Sequence, residues 1–462
     1  MSEQLVYSDR ELSYREKLVY LLSQELDFHC HDSNYASHDF HAFPAKFPPQ
    51  LPRKFILELT NPADLVLDPM MGSGTAVLEA YINGRHGVGV DIDPLALKIA
   101  KAKVTPLEKH QIYGLEKGML HQANFVANHN QIELKIVFER TFDAETRKFI
   151  NKWFAPETQI NLFALLQEIR QIPDSAIRNF FEVVFSAIII TKSGGVSLAY
   201  DLAHTRPHLA KAVINKNGEI IYLGNNVQKT SKRRLKLLTK PLRNVLEEFD
   251  KRFHNNLKNL PKNDFRLLNP TILCADAQSL PFADASADLI VTSPPYAANA
   301  IDYMRSHKFS LAWLGFAIND LSNKRKDYIG GEVLQGVGFE ELPAATETVV
   351  NEMYKLDHRK GRVLHRYYSE MTRTLREMFR VLKAGKAAIV VVGSSIMRGR
   401  DTEIQSCLAD IGQTLGFEVP KIGVRNLDRN RRMLPAGLTI DRDSQIQQRM
   451  HKEYVIGFYK PR

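Results

Sequence analysis

The stretch Leu65-Val66-Leu67-Asp68-Pro69-Met70-Met71-Gly72-Ser73-Gly74-Thr75 constrains this chain more than any other. An apolar run stops at an acid, Gly72 and Gly74 follow, and an apolar stretch with helical spacing runs from Ala76 to Asn83, ended by Gly84. That order reads as a buried strand turning sharply into a helix. The glycines permit the tight turn and let a ligand lie against bare backbone. In an open α/β sheet, ligands bind beyond the carboxyl ends of the strands. The pattern is neither the dinucleotide GxGxxG nor a P-loop, whose lysine is absent, so a neutral or cationic ligand fits better than a phosphate.

The strand–helix alternation continues. Gly87 to Asp91 is a second strand and Pro94 to Val104 a second helix. Thr271 to Asp276, Ala287 to Thr292, Ala387 to Val392 and Glu453 to Tyr459 are further strands, and Tyr367 to Leu382 is a long amphipathic helix. This predicts an α/β fold: a mostly parallel, doubly wound sheet with helices on both faces. Between about Thr105 and Asn269 the alternation gives way to helical patterns, such as Glu145 to Phe154 and Ile160 to Ile172. The expected organisation is an N-terminal extension (1–39), a catalytic unit in two pieces (40–108 and 267–462) and an inserted helical subdomain (109–266). Leu321 to Arg362, polar and carrying Gly330-Gly331, is expected to be a long functional loop.

At 462 residues, with 44% hydrophobic and 25% charged, the chain can bury a large core. Its net charge of +10 suits a polyanionic partner. Cys30, Cys274 and Cys407 form no CxxC pair, so neither a zinc site nor a disulfide framework is expected; they read as buried small residues in a reducing cytosol. The polar N-terminus is unlike a secretory signal and no apolar run spans a bilayer, so a cytoplasmic location without a membrane partner is expected.

Two more acids sit where a nucleoside pocket needs them. Asp91 ends GVGVD, where a carboxylate can accept from both ribose hydroxyls. Asp276 ends TILCAD, where it can accept from an adenine amino group. Each alone could be a helix N-cap; three acids ending strands, with a glycine turn after the first, point to a nucleoside. The sharpest feature is Thr292-Ser293-Pro294-Pro295-Tyr296. The prolines fix the backbone and remove N–H donors. Acceptors at the Ser293 hydroxyl and the Pro294 carbonyl would hold the two hydrogens of an exocyclic amine and free its lone pair. Tyr296 would stack an extruded base, an interaction worth about 1–3 kcal/mol, against the few kcal/mol that flipping costs.

DPMMGSGT, GVDIDP and TSPPY, in this order on this strand pattern, resemble the amino-group DNA methyltransferases, which make N4-methylcytosine or N6-methyladenine. His41 to Ile56 resembles the first motif of that family, and Ile301 to Gly315 the segment after its catalytic tetrapeptide. The resemblance covers roughly Phe40 to Leu107 and Thr271 to Lys460. It implies a class I methyltransferase (Rossmann-like) fold and S-adenosylmethionine as cofactor, held by Phe43, Pro44, Ala45, Lys46, Asp68, Gly72, Gly74, Thr75, Asp91 and Asp276. It places catalysis on Ser293, Pro294, Pro295 and Tyr296, with no metal. Two departures stand out: Met70 replaces the usual aromatic, and the insertion precedes the third acidic strand rather than following it. Serine at the head of the tetrapeptide resembles the cytosine-N4 enzymes. Adenine-N6 methylation, an RNA base-amino methyltransferase and a DNA-binding protein without catalysis are the alternatives.

The resemblance further implies double-stranded DNA as partner and a restriction–modification or related defence setting, with a cognate restriction enzyme as a candidate partner. The insertion is the candidate target-recognition region. Its basic run Lys229 to Arg243 is either a phosphate track or a solvated helix face. Lys232, Arg233, Arg234, Arg305, Arg431 and Arg432 are the candidate nucleic-acid residues.

Overall fold

The computed structural model describes residues 12–44, 46–191, 193–202, 207–215, 217–223, 235, 238–261, 269–297, 302–427 and 452–462. A seven-stranded sheet forms the centre. Its strands are β1 (Leu65–Asp68), β2 (His86–Asp91), β3 (Thr271–Cys274), β4 (Ala287–Thr292), β5 (Leu382–Gly393), β6 (Glu418–Asn426) and β7 (Lys452–Tyr459). Their spatial order is β3-β2-β1-β4-β5-β7-β6. The first five neighbours run parallel; β7 is antiparallel to both β5 and β6. The chain winds outward from β1 in one direction, then returns to β4 on its other side. The crevice at that reversal is where an open α/β sheet binds ligands.

Alternation along the strands builds two cores. Val66, Leu289, Val291, Ile389 and Val391 face one layer, with α1 (Tyr14–Ser23) and α2 (Gln50–Leu59). Leu67, Ile290, Val390 and Val392 face the other. That second layer holds α14 (His358–Val381), whose Tyr367, Met371, Leu375 and Met378 lie in the same cluster. Between β1 and β2 runs α3 (Thr75–Ile82), and after β2 comes α4 (Pro94–Val104). Pro94 at the first turn and the Asp93 carboxylate, accepting from the amides of Leu95 (2.8 Å) and Ala96 (3.0 Å), start α4 immediately beyond the β2 edge of the crevice.

The expected organisation sets residues 1–39 apart as an N-terminal extension; among its described residues Leu18, Leu21, Leu22 and Leu26 are buried in the sheet's first layer, against Val391 and Val455. Gly457 and Gly423 leave room for them: a Cβ on Gly457 would sit 2.4 Å from Leu22.

The segment between α4 and β3 is less purely helical than its periodicity suggests. Helices α5 (Lys109–His129), α6 (Gln131–Thr141), α7 (Ala144–Trp153), α8 (Pro156–Arg170), α9 (Ser175–Ile189) and α10 (Val245–Lys258) are joined by short strands. Ala212–Ile214 pairs with Ile220–Tyr222 and with Thr239–Pro241. The local signal for them is Asn217-Gly218 between two β-branched runs, with the Asn215 side chain accepting from the amides of Asn217 and Glu219. This segment shares a core with the catalytic sheet's flank: Phe163 and Phe154 cluster with Leu95, Ile99 and Trp313.

Other boundaries differ from expectation. Strand β3 stops at Cys274, so Asp276 lies two residues beyond it. The 321–362 stretch is not one loop. It contains the end of α12 (Ile318–Lys324, preceded by α11, Met304–Leu311), all of α13 (Ala344–Leu356) and the start of α14. Only Thr346, Val350 and Met353 of α13 are buried, too few apolar positions to mark its period in a polar stretch. A final helix, α15 (Ile404–Thr414), and strand β6 complete the second layer. Cys407 is buried, but Cys30 and Cys274 are exposed. Among the described residues no helix is long and apolar enough to cross a membrane.

If α1 is part of the core, Leu22→Ala should cost about 2–5 kcal/mol in urea denaturation. A loss under about 0.5 kcal/mol would mean that residues 14–26 are an appendage.

Candidate active site

A cavity open to solvent lies at the carboxyl ends of β1, β2, β3 and β4. Its lining mixes apolar groups (Phe43, Phe47, Met70, Ile92) with the carboxylates of Asp68, Asp91 and Asp276.

The floor is the turn after β1. The Gly72 amide donates to Asp91 Oδ2 at 2.8 Å, and the Asp93 amide to Asp91 Oδ1 at 2.8 Å. Asp91 is thereby fixed in orientation, with lone pairs left on both oxygens for further donors. Gly72 has φ +49°, and a Cβ there would lie 3.1 Å from the Phe43 ring. Glycine thus lets the first motif fold over the turn. Gly74 serves differently. It has φ +74°, and its Cβ would meet Ala100 at 2.9 Å, so it brings α3 against α4 and does not line the cavity.

Burial dominates the electrostatics. Desolvation raises the Asp68 carboxyl to about 7, opposed by the Thr292 hydroxyl and the Met70 amide and reinforced by Asp91. Asp91 is raised to about 6, by burial first and then by Asp93. Asp93 goes the other way, to about 2: burial is outweighed by His307, whose Nδ1 lies 2.8 Å from Oδ2, by the Ala96 amide and by the Tyr328 hydroxyl, which donates at 2.8 Å. The floor therefore holds one firmly ionised acid and two that resist ionisation until a donor or cation arrives.

The roof comes from the stretch after α12. Tyr328 and Ile329 line the cavity. They are held by Arg366 and Glu370, both buried on α14. Arg366 Nε donates to Glu370 at 2.7 Å, and its terminal nitrogens donate to the carbonyls of Val333, Lys326 and Tyr328. Glu370 also accepts from the Gly330 amide at 2.8 Å. An ion pair buried this way is tolerated only when its remaining donors and acceptors are satisfied, and here backbone satisfies them. Phe43 stacks on Tyr303, with centroids 5.2 Å apart, and closes the side wall.

Of the expected cofactor residues, Phe43, Lys46, Asp68, Gly72, Thr75, Asp91 and Asp276 line this one cavity; Pro44 and Gly74 do not, and Ala45 lies outside the described residues. Asp276 is exposed at the mouth and accepts from the Gln278 amide at 2.9 Å. Lys46 reaches the His38 carbonyl at 2.9 Å. Three further residues of the site, Asp93, Tyr303 and Tyr328, are not among those the sequence singles out. Asp93 is visible as the second acid of GVDIDP; Tyr328 has no local signal, because its place depends on Arg366 far along the chain.

The tetrapeptide follows β4. Ser293 and Pro295 line the cavity, whereas Pro294 is buried beside it. The Ser293 hydroxyl donates to the Val391 carbonyl at 2.9 Å, which commits its hydrogen and leaves the oxygen as an acceptor. Tyr296 does not present an open ring. It is buried, and its hydroxyl donates to Glu453 at 3.2 Å; Glu453 in turn pairs with Arg425. Stacking on a base requires that this tyrosine or its cover move.

Among the expected nucleic-acid residues, Arg305 is described: it lies on α11 and pairs with Asp302 at 2.9 Å. Lys232, Arg233, Arg234, Arg431 and Arg432 lie outside the described residues. Two described members of the 229–243 run serve the fold. Lys240 is buried and donates to the carbonyls of Ser193, Gly195, Ser197 and Ala199, and Arg243 pairs with Glu248 at 3.0 Å.

Because Asp68 holds its proton up to about pH 7, a cationic cofactor should bind more tightly as pH rises from 6 to 8 and level off above. Calorimetric titration with S-adenosylmethionine across that range should show the rise in wild type and a shallower one in Asp68→Asn, where Asp91, raised to about 6, still titrates at the acid end. An equally steep rise in Asp68→Asn would assign the pH dependence elsewhere.

Residues 12–102 match the DNA methylase family of N6/N4 methyltransferases. The Type II methyltransferase M.MvaI of Kocuria varians is 24% identical over 409 residues, 81% of each chain. The Type II methyltransferase M.BsoBI of Geobacillus stearothermophilus is 22% identical over 441 residues, 85% of this chain and 80% of that protein. A TehB-like S-adenosylmethionine-dependent methyltransferase structure from Corynebacterium glutamicum overlaps 88% of this chain and 86% of its own, at 8% identity. Its TM-score of 0.27 is too low to carry an argument. The family match over residues 12–102 and these relatives agree with the cavity at the sheet's reversal point: the chain is similar to the amino-group DNA methyltransferases.

Proposed function

We propose that this protein transfers a methyl group to N4 of cytosine in double-stranded DNA, as the modification half of a restriction–modification or related defence system. The observation that carries the reading is Ser293 at the edge of the cavity, with its hydroxyl hydrogen committed to Val391 and its oxygen available as a neutral acceptor. The cavity's residues fit S-adenosylmethionine: the Gly72 cradle brings backbone to the ligand, Asp91 offers acceptors to a ribose, Asp276 offers one to an adenine amine, and Asp68 is a buried acid that a cationic amine would ionise.

When bound, this cofactor supplies a methyl group already activated by a positive sulfur. The chain's own task is to prepare the nitrogen. Ser293 Oγ and the Pro294 carbonyl would accept from the amine and direct its lone pair away from the ring, leaving the nitrogen free to take up a methyl group. One amine proton then leaves to solvent or to an acceptor at the site. Prolines at 294 and 295 keep these acceptors in place without offering competing donors. Phe43, Tyr303 and Tyr328 give the cavity aromatic walls. The target base must be out of the helix to reach this position. Glu453 and Arg425 hold the phenol of Tyr296, and its ring would meet the base once the residues that cover it move.

Nucleoside mass spectrometry of DNA from cells expressing the wild type should show N4-methylcytosine that is absent with Ser293→Ala. N6-methyladenine in its place would overturn the base assignment. Neither base, from a folded protein that binds the cofactor, would overturn the DNA reading.

A further inference from the structure

Four cations from three helices lie near one another beside the cavity mouth, two of them paired with Asp302. Lys152 closes α7; Arg305 and Lys308 lie on α11; Arg325 follows α12. Asp302 pairs with Arg305 at 2.9 Å and with Arg325. Lys152 and Lys308 make no ion pair among the described residues. Their ammonium groups instead lie over aromatic rings of α7, Lys152 5.4 Å from the Trp153 centroid and Lys308 5.4 Å from that of Phe149. Helix α7 packs on α12, and the Ile318 amide at the start of α12 donates to Thr146 Oγ1 of α7 at 3.2 Å, so the inserted segment is fastened to this side of the catalytic unit.

Position gives the cluster its meaning. Tyr303, two residues before Arg305, and Asp327, two after Arg325, both line the cavity. We propose that Lys152, Arg305, Lys308 and Arg325 form a phosphate-binding patch that seats the DNA backbone next to the nucleotide entering the cavity. The proposal rests on the DNA reading above and assigns to the insertion a backbone-positioning task.

Repulsion within the cluster is largely unrelieved. Lys308 has its pKa lowered first by burial and then by Arg325, with Lys152 and Arg305 adding and Asp302 alone opposing. Like charges held together on a packed frame cost free energy that an arriving anion relieves. A phosphate supplies that anion and favours a fixed arginine fork over a surface lysine fringe. Arg305 and Arg325 are both turned by Asp302, which orients their guanidinium groups without neutralising the patch.

The test is duplex-DNA binding over a salt series, with methylation measured on the same proteins. Lys152→Gln and the triple variant Lys152→Gln/Lys308→Gln/Arg325→Gln are compared with wild type, and calorimetric S-adenosylmethionine binding reports that each variant is folded. In the variants the slope of log K against log salt should become shallower by roughly 0.9 for each phosphate no longer neutralised, with cofactor affinity unchanged. If the wild type methylates DNA and the slope is the same in all three proteins, the patch is overturned and the methyltransferase reading stands. If the wild type binds duplex DNA with the expected loss in the variants but methylates none, the patch stands and the reading fails. If the wild type neither binds nor methylates duplex DNA, or RNA competes equally, the assignment to DNA phosphates fails. Should the triple variant lose cofactor binding, Lys152→Gln alone, on the exposed surface of α7, decides the question.

Discussion

The Gly72 amide donates to the Asp91 carboxylate, and through that bond the turn after β1 is fastened to the end of β2. Much of the site follows from this tie. It requires a left-handed residue at position 72, which only glycine adopts without strain. It leaves no side chain between the turn and Phe43, so the first motif folds over the turn. It fixes the Asp91 oxygens toward the cavity. The neighbouring amide of Asp93 completes the fixing and brings Asp93 beneath His307 and Tyr328. Two amide-to-carboxylate hydrogen bonds on Asp91 therefore link the strand ends, the side wall and the roof.

The floor and the roof are built with opposite electrostatics. The roof is anchored by an ion pair whose remaining donors and acceptors are met by backbone, Arg366 with Glu370. The floor carries acids that burial disfavours, Asp68 and Asp91. Groups with raised values in a cleft mark a place where a ligand is expected to supply the missing partner. The groups that hold the cavity open are thus distinct from the groups that wait for a ligand. The basic cluster around Asp302 is built on the same plan with reversed sign.

Much of this is legible in the sequence, and the limits are physical. The strands β1, β2 and β4 are visible because buried parallel strands are nearly continuous apolar runs, and the turn because glycine and proline are strong punctuation. The lining positions of Phe43, Lys46, Asp68, Gly72, Thr75, Asp91, Asp276, Ser293 and Pro295 carry local signals that survive without geometry. Gly74 marks one limit, because a glycine that admits a helix looks the same as one that admits a ligand. Helix α13 is hidden because its buried face is narrow, and the short strands around Asn217-Gly218 because helices dominate their surroundings. Tyr328 and the burial of Tyr296 depend on Arg366 and Glu453, partners distant along the chain that no local pattern records.

Asp91, oriented by the Gly72 turn, is the anchor we propose for the nucleoside of the cofactor, and everything proposed for the site rests on it. The most direct measurement is calorimetric titration of S-adenosylmethionine into wild type and Asp91→Ala, with circular dichroism to establish that both are folded. An anchoring Asp91 predicts one site per chain in wild type and no detectable binding in the folded variant. Binding of equal strength in Asp91→Ala would contradict it.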